Sequence, residues 1–230
     1  MNQEKPEAPT KDRILDAAER LFAEHGFDGV SLRTIIAEAG VNLAAVHYHF
    51  HSKEALLDAV FARRVAPLNQ ERLARLIACE AEAGNGPVPV ERLLEALLIP
   101  VLHLVRDPSR NGPTVCKLMG RLQAESGTQM AEVFKKHLSV FAQRLLVALR
   151  RSLPDLPPAE LFWRMHFTMG AVAHTLRGGP AMAVLSGGAI DAGDLEGGMY
   201  RLIAFLAAGL RAPVPSLAIP ATQELENVRS

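Results

Sequence analysis

Apolar residues recur every three or four positions along almost the whole chain, and this spacing favours helices over strands. The first helix is predicted to begin at Thr10, acting as the N-cap, and to end at Gly26, with Ile14, Ala18 and Leu21 on its apolar face. No segment alternates apolar and polar residues over a useful length, so we expect no sheet. The pattern predicts an all-α protein.

Two short helices are predicted after the first. Ser31 is expected to cap one that stops at Gly40, and Asn42 is expected to cap another that runs to about Phe50. Two short helices on either side of a tight glycine turn have the outline of a helix-turn-helix.

The rest of the chain is also predicted to be helical. Ser52 is expected to cap a fourth helix beginning at Lys53, and Pro67 should kink or end it because proline lacks a backbone donor. Further helices are expected over residues 68–81, 90–105, 114–124, 128–152, 158–176 and 195–210.

The composition excludes several classes of protein but does not indicate a binding partner. The 25 basic and 25 acidic residues cancel, so no overall positive charge indicates nucleic acid. Two cysteines, Cys79 and Cys116, are too few for a disulfide framework, and the polar start does not read as a signal peptide. No apolar stretch is long enough to cross a membrane. We expect a cytoplasmic protein without membrane association.

The segment 40–56 carries the residues best suited to DNA. Small residues near the start of its helix allow close approach to a bulky partner, and the N-termini of helices attract phosphate. The alternative is a small core helix with Tyr48 and Phe50 packed inward. Residues 10–64 hold seven basic and eight acidic side chains, so DNA binding would depend on their placement. The candidate DNA-binding residues are Ser31, Arg33, Thr34, Asn42, Leu43, Ala44, Ala45, His47, Tyr48, His49 and Lys53.

Residues 14–57 closely resemble the DNA-binding domain of TetR-family transcriptional regulators. The resemblance lies in Val41, in Tyr48-His49-Phe50 and in Ser52-Lys53-Glu54. It implies a three-helix DNA-binding head, a larger helical body that dimerises and binds a small effector, and repression relieved by that effector. The partners implied are a double-stranded, near-palindromic operator and a second copy of the chain.

The resemblance also sets the expected domain organisation. A flexible arm would cover residues 1–9, the helix-turn-helix domain 10–57, the effector-binding and dimerisation domain 58–211, and a flexible tail 212–230. The helices over 158–176 and 195–210 are apolar all round, and we expect them to form the dimer surface as a four-helix seam. An effector is expected to shift the helix around Pro67 and so change the separation of the two heads.

The body more weakly resembles the fatty-acid-responsive PsrA-type branch, in residues 66–73, 161–167 and 170–171. This resemblance implies a long-chain acyl effector. Apolar side chains would form the pocket and a cationic or imidazole group would bind an acid head group. The alternative is that these residues are simply core. The candidate effector-binding residues are Leu98, Leu102, His103, Cys116, Met119, Arg121, Phe134, Trp163, His166, Phe167 and Met169.

The sequence gives little support for a metal site or for catalysis. His47 and His51 alone of the local histidines would share a helix face, so we expect no metal site. No catalytic motif surrounds Ser186, and we expect neither a cofactor nor an enzyme. Two alternatives stay open: a regulator with the same head and no small-molecule effector, and a helical enzyme or lipid carrier.

Overall fold

The computed structural model of the protein describes residues 9–123, 128–176, 183–191 and 193–214, apart from the side chains of residues 123–131 and 134. The predictions for the arm (residues 1–8), for most of the tail (215–230), for residue 124 and for the connection at 177–182 lie outside these ranges. No strand occurs in the described parts, which are mainly helical, and the prediction of an all-α fold is confirmed.

The helices, numbered in chain order, are α1 (Thr10–His25), α2 (Leu32–Ala39), α3 (Leu43–Phe50), α4 (Lys53–Ala83), α5 (Val90–Arg106), α6 (Gly112–Gln123), α7 (Thr128–Ser152), α8 (Pro158–Thr175) and α9 (Leu195–Arg211). A short 3-10 turn, Pro108–Arg110, lies between α5 and α6. Among the described residues, none of these helices has both the length and the apolarity needed to cross a bilayer.

Side chains cap the helices of the head much as predicted. Ser31, Asn42 and Ser52 each accept a hydrogen bond from the backbone N–H three residues further on, and so begin α2, α3 and α4. The prediction for α1 was wrong by one residue, because Pro9 occupies the N-cap position and Thr10 is the first helical residue. Proline suits this position since the first helical N–H groups have no partner within the helix.

The helix α4 is continuous from Lys53 to Ala83, so it does not end at Pro67, and that part of the prediction is wrong. Pro67 is exposed, and the backbone carbonyl that loses its partner can be satisfied by water. Buried residues hold the helix on both sides of the proline: Phe61 and Val65 before it, Leu68 and Leu76 after it. Tertiary packing on each side therefore outweighs the local cost of the proline.

The helix α6 begins at Gly112, two residues before the predicted start. A Cβ atom at Gly112 would lie 2.2 Å from the carbonyl oxygen of Leu104, so only glycine permits this close approach of α6 to α5. The approach places Val115 and Leu118 of α6 in the interior.

The hydrophobic core of the described residues divides into a head core, a body core and a small cluster of Leu68, Val101, Leu104 and Val115, and α4 contributes to all three. The head core packs α1, α2 and α3 against Leu57 and Phe61 of α4 and also against Leu118 and Leu122 of α6. The body core contains Leu76 of α4 with residues of α5, α7, α8 and α9. The head is thus packed directly on α6 as well as on α4.

Candidate DNA-binding and effector sites

The turn between α2 and α3 is held by a side chain from α1. Gly40 ends α2 with φ 62°, a left-handed conformation that glycine adopts without strain. Arg13 donates to the carbonyl oxygens of Ala39 and Gly40, both at 2.8 Å. These bonds satisfy carbonyls at the end of α2 and fix the angle at which α3 follows it.

The helix α3 has one buried face and one exposed face. Val46 and Phe50, four residues apart, are buried in the head core. Leu43 is 53% exposed and Tyr48 is 79% exposed, although both carry large apolar groups. The inward packing of Phe50 agrees with the core-helix alternative, but the exposure of Tyr48 contradicts it. Exposed apolar groups on a short helix indicate a surface that contacts a partner.

Most of the predicted DNA-binding residues lie on one exposed surface, formed by the start of α2 and the outer face of α3. Its exposed members are Ser31, Arg33, Thr34, Asn42, Leu43, Ala44, His47 and Tyr48. The oxygens of Ser31 and Asn42 cap their helices, so these two side chains also hold the surface in place. We refer to these eight residues as the exposed head face.

Three of the predicted DNA-binding residues do not belong to the exposed head face. The Nζ of Lys53 donates to the carbonyl oxygens of Phe27 and Val30, each at 2.8 Å, and lies 4.1 Å from the centroid of the Phe27 ring. Lys53 therefore joins α4 to the loop after α1 and does not extend toward solvent. Ala45 and His49 are half-buried, because the face that carries Val46 and Phe50 also includes them in part.

The body contains a mainly apolar cavity of about 100 Å³ among α4, α5, α6, α7 and α8. Its described lining consists of Val65, Leu68, Arg72, Val101, Leu104, Val115, Cys116, Met119, Gly120, Leu138, Met169, Val172, Ala173 and Leu176. Of the predicted effector-binding residues, Cys116, Met119 and Met169 line it. A cavity that joins five helices can influence how all of them pack.

The other predicted effector-binding residues do not line this cavity, and their role in effector binding stays a prediction. Leu98 and Leu102 are buried in the body core on another side of α5. His103 and Arg121 are exposed, and Nδ1 of His103 lies 2.8 Å from Oε1 of Glu71. The side chain of Phe134 lies outside the described residues. The remaining three, Trp163, His166 and Phe167, are exposed on α8.

Arg72 is a cavity residue that the sequence analysis missed. It lies on α4 midway between Leu68 and Leu76, at four-residue spacing, and so shares their inward face. A charged residue at the centre of an apolar stripe was the signal that could have found it. Burial lowers the pKa of Arg72 to about 10, while the neighbouring Cys116 and Glu71 act in the opposite direction. The guanidinium is charged at neutral pH.

The outer face of α8 and α9 exposes large aromatic side chains. Trp163 and Phe167 stack with ring centroids 5.8 Å apart, and Phe205 of α9 is 71% exposed. Between the helices lies a groove of about 200 Å³ lined by Phe167, Ala171 and Phe205 among others. An aromatic surface of this kind is typical of a protein interface.

The helices α8 and α9 are joined by a buried arginine. Arg164 Nη1 donates to the carbonyl oxygens of Gly209, Leu210 and Ala212 at the end of α9, and its Nε donates to Glu160. A cation at a helix C-terminus is favourable because the helix dipole is negative there.

Within the described residues, no group of three or more His, Cys, Asp or Glu side chains could hold a metal ion.

The N-terminal and the C-terminal parts of the chain both match regulatory proteins of the same family. Residues 14–60 match the bacterial regulatory proteins of the tetR family, and residues 95–209 match the tetracyclin repressor-like C-terminal domain. The regulator UidR of Escherichia coli strain K12 is 27% identical over 165 residues, which cover 69% of this chain and 76% of UidR. The repressor AcnR of Corynebacterium efficiens is 28% identical over 143 residues, covering 62% of this chain and 65% of AcnR.

Solved structures support the fold. A mutant of HlyIIR superposes with a TM-score of 0.59 at 20% identity, covering 92% of this chain and 100% of that chain. A complex of SmeT with triclosan superposes with a TM-score of 0.58 at 23% identity, covering 90% and 99%. UidR is named as an HTH-type transcriptional regulator and AcnR as an HTH-type transcriptional repressor. Because both parts of the chain match the corresponding domains, the protein belongs to the TetR family of transcriptional regulators.

Proposed function

We propose that the protein is a homodimeric repressor, released from a palindromic operator by a small apolar effector that binds in the body cavity. The observation that carries this proposal is the course of α4. One continuous helix bears Leu57 and Phe61 of the head core and also Leu68 and Arg72 of the cavity lining. A ligand that moves the middle of this helix moves the head with it.

In this proposal the exposed head face enters the major groove. Tyr48, Arg33 and Thr34 donate hydrogen bonds to phosphates, and Leu43 and Ala44 contact base edges such as thymine methyl groups. The positively polarised N-termini of α2 and α3 add to phosphate binding. Lys53 has no place in this interface, because two of its three donors are used inside the head.

The second copy of the chain is proposed to bind through the aromatic surface of α8 and α9. Phe162, Trp163, Phe167, Tyr200 and Phe205 are each more than half exposed in the single chain. A two-fold axis would pair α8 and α9 with their copies in a four-helix seam. Large aromatic residues at the centre of such a seam account for much of the binding free energy.

The proposed release follows from the symmetry of the dimer. Two recognition helices fit adjacent major grooves only when they lie about one turn of DNA, ~34 Å, apart. Ligand bound between α4 and α6 shifts both helices on which the head core is packed, and so changes this separation. The naming of AcnR as a repressor and the triclosan complex of SmeT are compatible with repression and with a small effector.

The long-chain acyl effector expected from the PsrA-type resemblance stays a prediction. The cavity of about 100 Å³ is well below the ~300–1,000 Å³ of pockets that hold drug-sized ligands. A smaller molecule therefore suits the described cavity better.

The test is selection of random duplex DNA by the purified full-length protein, followed by repetition with a library of apolar compounds present. Enrichment of a palindrome by wild type, and its loss in Tyr48→Ala without loss of thermal stability, would support the head assignment. The matched control is Lys11→Ala at the exposed start of α1, which should retain binding. A palindrome that no compound disturbs would instead favour a regulator without a small-molecule effector, and no palindrome at all would contradict DNA recognition by this face.

A further inference from the structure

The cavity contains one charged group in an otherwise apolar wall. Among its described lining residues, Arg72 alone carries a charge, and Leu68, Val101, Met119 and Val172 are typical of the rest. Burying a cation in apolar surroundings is unfavourable unless an anion or several hydrogen bonds compensate for the lost water. The groups that offset the positive charge of Arg72 therefore help to determine which kind of ligand the cavity can bind.

The protein itself compensates Arg72 only in part. Its Nε donates to the carbonyl oxygen of Leu97 at 3.0 Å, and its Nη1 donates to Oδ1 of Asn69 at 3.2 Å. A guanidinium has five N–H groups, and Nη2 has no hydrogen-bond partner among the described residues. The carbon of the guanidinium lies 5.6 Å from the centroid of the Phe141 ring, a distance compatible with a weak cation–π contact.

No described carboxylate forms a salt bridge with Arg72. The adjacent acid, Glu71, lies one position round the helix and is bound by other groups: its Oε1 is 2.8 Å from His103 Nδ1 and 3.4 Å from Arg75 Nε, and its Oε2 is 3.7 Å from Arg110 Nη1. Glu71 is thus neutralised on the outer side of α4. Arg72, which is half-buried beside the cavity, is left with a positive charge and with N–H groups that have no described partner.

The volume of the described cavity, which is partly open to solvent, indicates the size of the ligand that fits it best. At about 100 Å³ it is somewhat smaller than the ~150 Å³ engineered apolar cavity that binds benzene in another protein. A body of about one ring or a short branched chain fits this space with small side-chain movements. Met119 and Met169 in the lining are flexible and can adjust to such a body.

We propose that the effector is a small carboxylate, with an apolar body about the size of one ring lying among the apolar side chains and its carboxylate bound to the free N–H groups of Arg72. This inference rests on the proposed effector function of the cavity. A carboxylate matches the planar fork of a guanidinium and accepts two parallel hydrogen bonds from it. The same contact supplies the missing counter-charge.

The experiment compares matched ligands on the full-length protein by calorimetry and thermal shift. The probes are benzoate, 4-methylbenzoate and cyclohexanecarboxylate, the neutral amides of the same three acids, and hexadecanoate. We expect at least one of the small acids to bind, and its amide to bind at least tenfold more weakly. This comparison needs no variant, so it does not depend on the folding of a mutant.

Two variants locate the contact. Arg72→Lys keeps the charge and loses the planar fork, so it should weaken binding of the acid about tenfold or more while changing the amide little. Arg75→Lys, one turn further along α4 and bound to Glu71 outside the cavity, is the matched control and should bind the acid as wild type does.

Each other outcome overturns the inference. Equal binding of acid and amide would remove the role of Arg72, and binding of hexadecanoate in place of the small acids would remove the size limit. In both cases the proposed function stands if the bound compound releases the operator. If none of the probes binds, the inference fails alone, and the proposed function fails with it only when the wider apolar library also leaves the operator complex intact.

Discussion

Asn111 Nδ2 donates to Oε1 of Glu19 at 3.0 Å, and this bond joins the turn before α6 to the first helix of the head. The other oxygen of the same buried carboxylate accepts from Arg63 at 2.7 Å and from Arg64 at 2.6 Å. The helices α1 and α4 and the turn that leads into α6 therefore meet at one carboxylate. Since α6 also carries Cys116 of the cavity lining, this cluster is a direct contact between the cavity wall and the head.

Replacing Glu19 with alanine should destabilise the protein strongly. The substitution leaves Arg63 and Arg64 without their buried partner, and removing one member of a buried ion pair costs ~3–5 kcal/mol. Urea denaturation measures the change in the free energy of unfolding. The control is Asp16→Ala, since Asp16 is half exposed and also pairs with Arg63, and should cost no more than ~1 kcal/mol. Equal effects of the two substitutions would contradict the central place of Glu19.

Removing the side chain of Asn111 should weaken the response to effector. Asn111 has φ 52°, so Asn111→Gly is the suitable substitution because glycine tolerates this conformation. Operator affinity without ligand should change little, whereas the coupling free energy between ligand and operator should fall by ~0.5–2 kcal/mol. Operator titrations with and without ligand measure it. Ser109→Ala in the same turn is the control, and an unchanged coupling in Asn111→Gly would exclude this bond from the response.

Lys53→Met should reduce stability and leave sequence preference for DNA unchanged. The substitution removes both hydrogen bonds from Nζ, and although the carbonyl oxygen of Phe27 keeps the bond from the N–H of Val30, the loss of the bond to the Val30 carbonyl should cost ~1–3 kcal/mol. Arg33→Ala is the converse case, because Arg33 is exposed on the head face and should affect operator affinity but not stability. Thermal unfolding and operator titration of both variants distinguish the roles. Full stability of Lys53→Met would contradict the structural role given to this lysine.

The pair Glu91–Arg211 should stabilise the body in a pH-dependent way. Hydrogen bonds from Arg211 lower the pKa of Glu91 from 4.5 to about 2. A lowered pKa means that the stabilisation is complete above the unfolded value of 4.5 and is lost as the pH falls toward 2. Both side chains are nearly half exposed, so the contribution at neutral pH is at most ~1 kcal/mol. The stability difference between wild type and Glu91→Gln should stay constant above about pH 5 and shrink as the pH falls from there toward 2.

A charge in the aromatic surface of α8 should separate the proposed dimer. Phe167→Asp places a carboxylate where a partner chain would bury the ring, and we expect a shift to monomer in light scattering at micromolar concentration. Val140→Asp is the control: Val140 is 68% exposed on α7, which packs against α4 and α5. A dimer that persists in Phe167→Asp would place the interface elsewhere.

The sequence was sufficient for features that depend on neighbours a few residues apart. The caps Ser31, Asn42 and Ser52 and the glycine turn at Gly40 lie within one helical turn of the groups they serve. The apolar spacing likewise determined the helical class, and the short pattern around Tyr48 was enough to identify the family.

The tertiary structure decided what depends on contacts between distant residues. Glu19 and Asn111 are separated by 92 positions, and Lys53 bonds to carbonyls more than 20 positions earlier, so no local pattern predicts these bonds. Apolar spacing showed that Trp163 and Leu98 lie on helical stripes but not which surface each stripe meets. Pro67 remains helical because packing on either side outweighs its local cost, and Arg72 became a cavity residue because the packing of five helices left a space beside it.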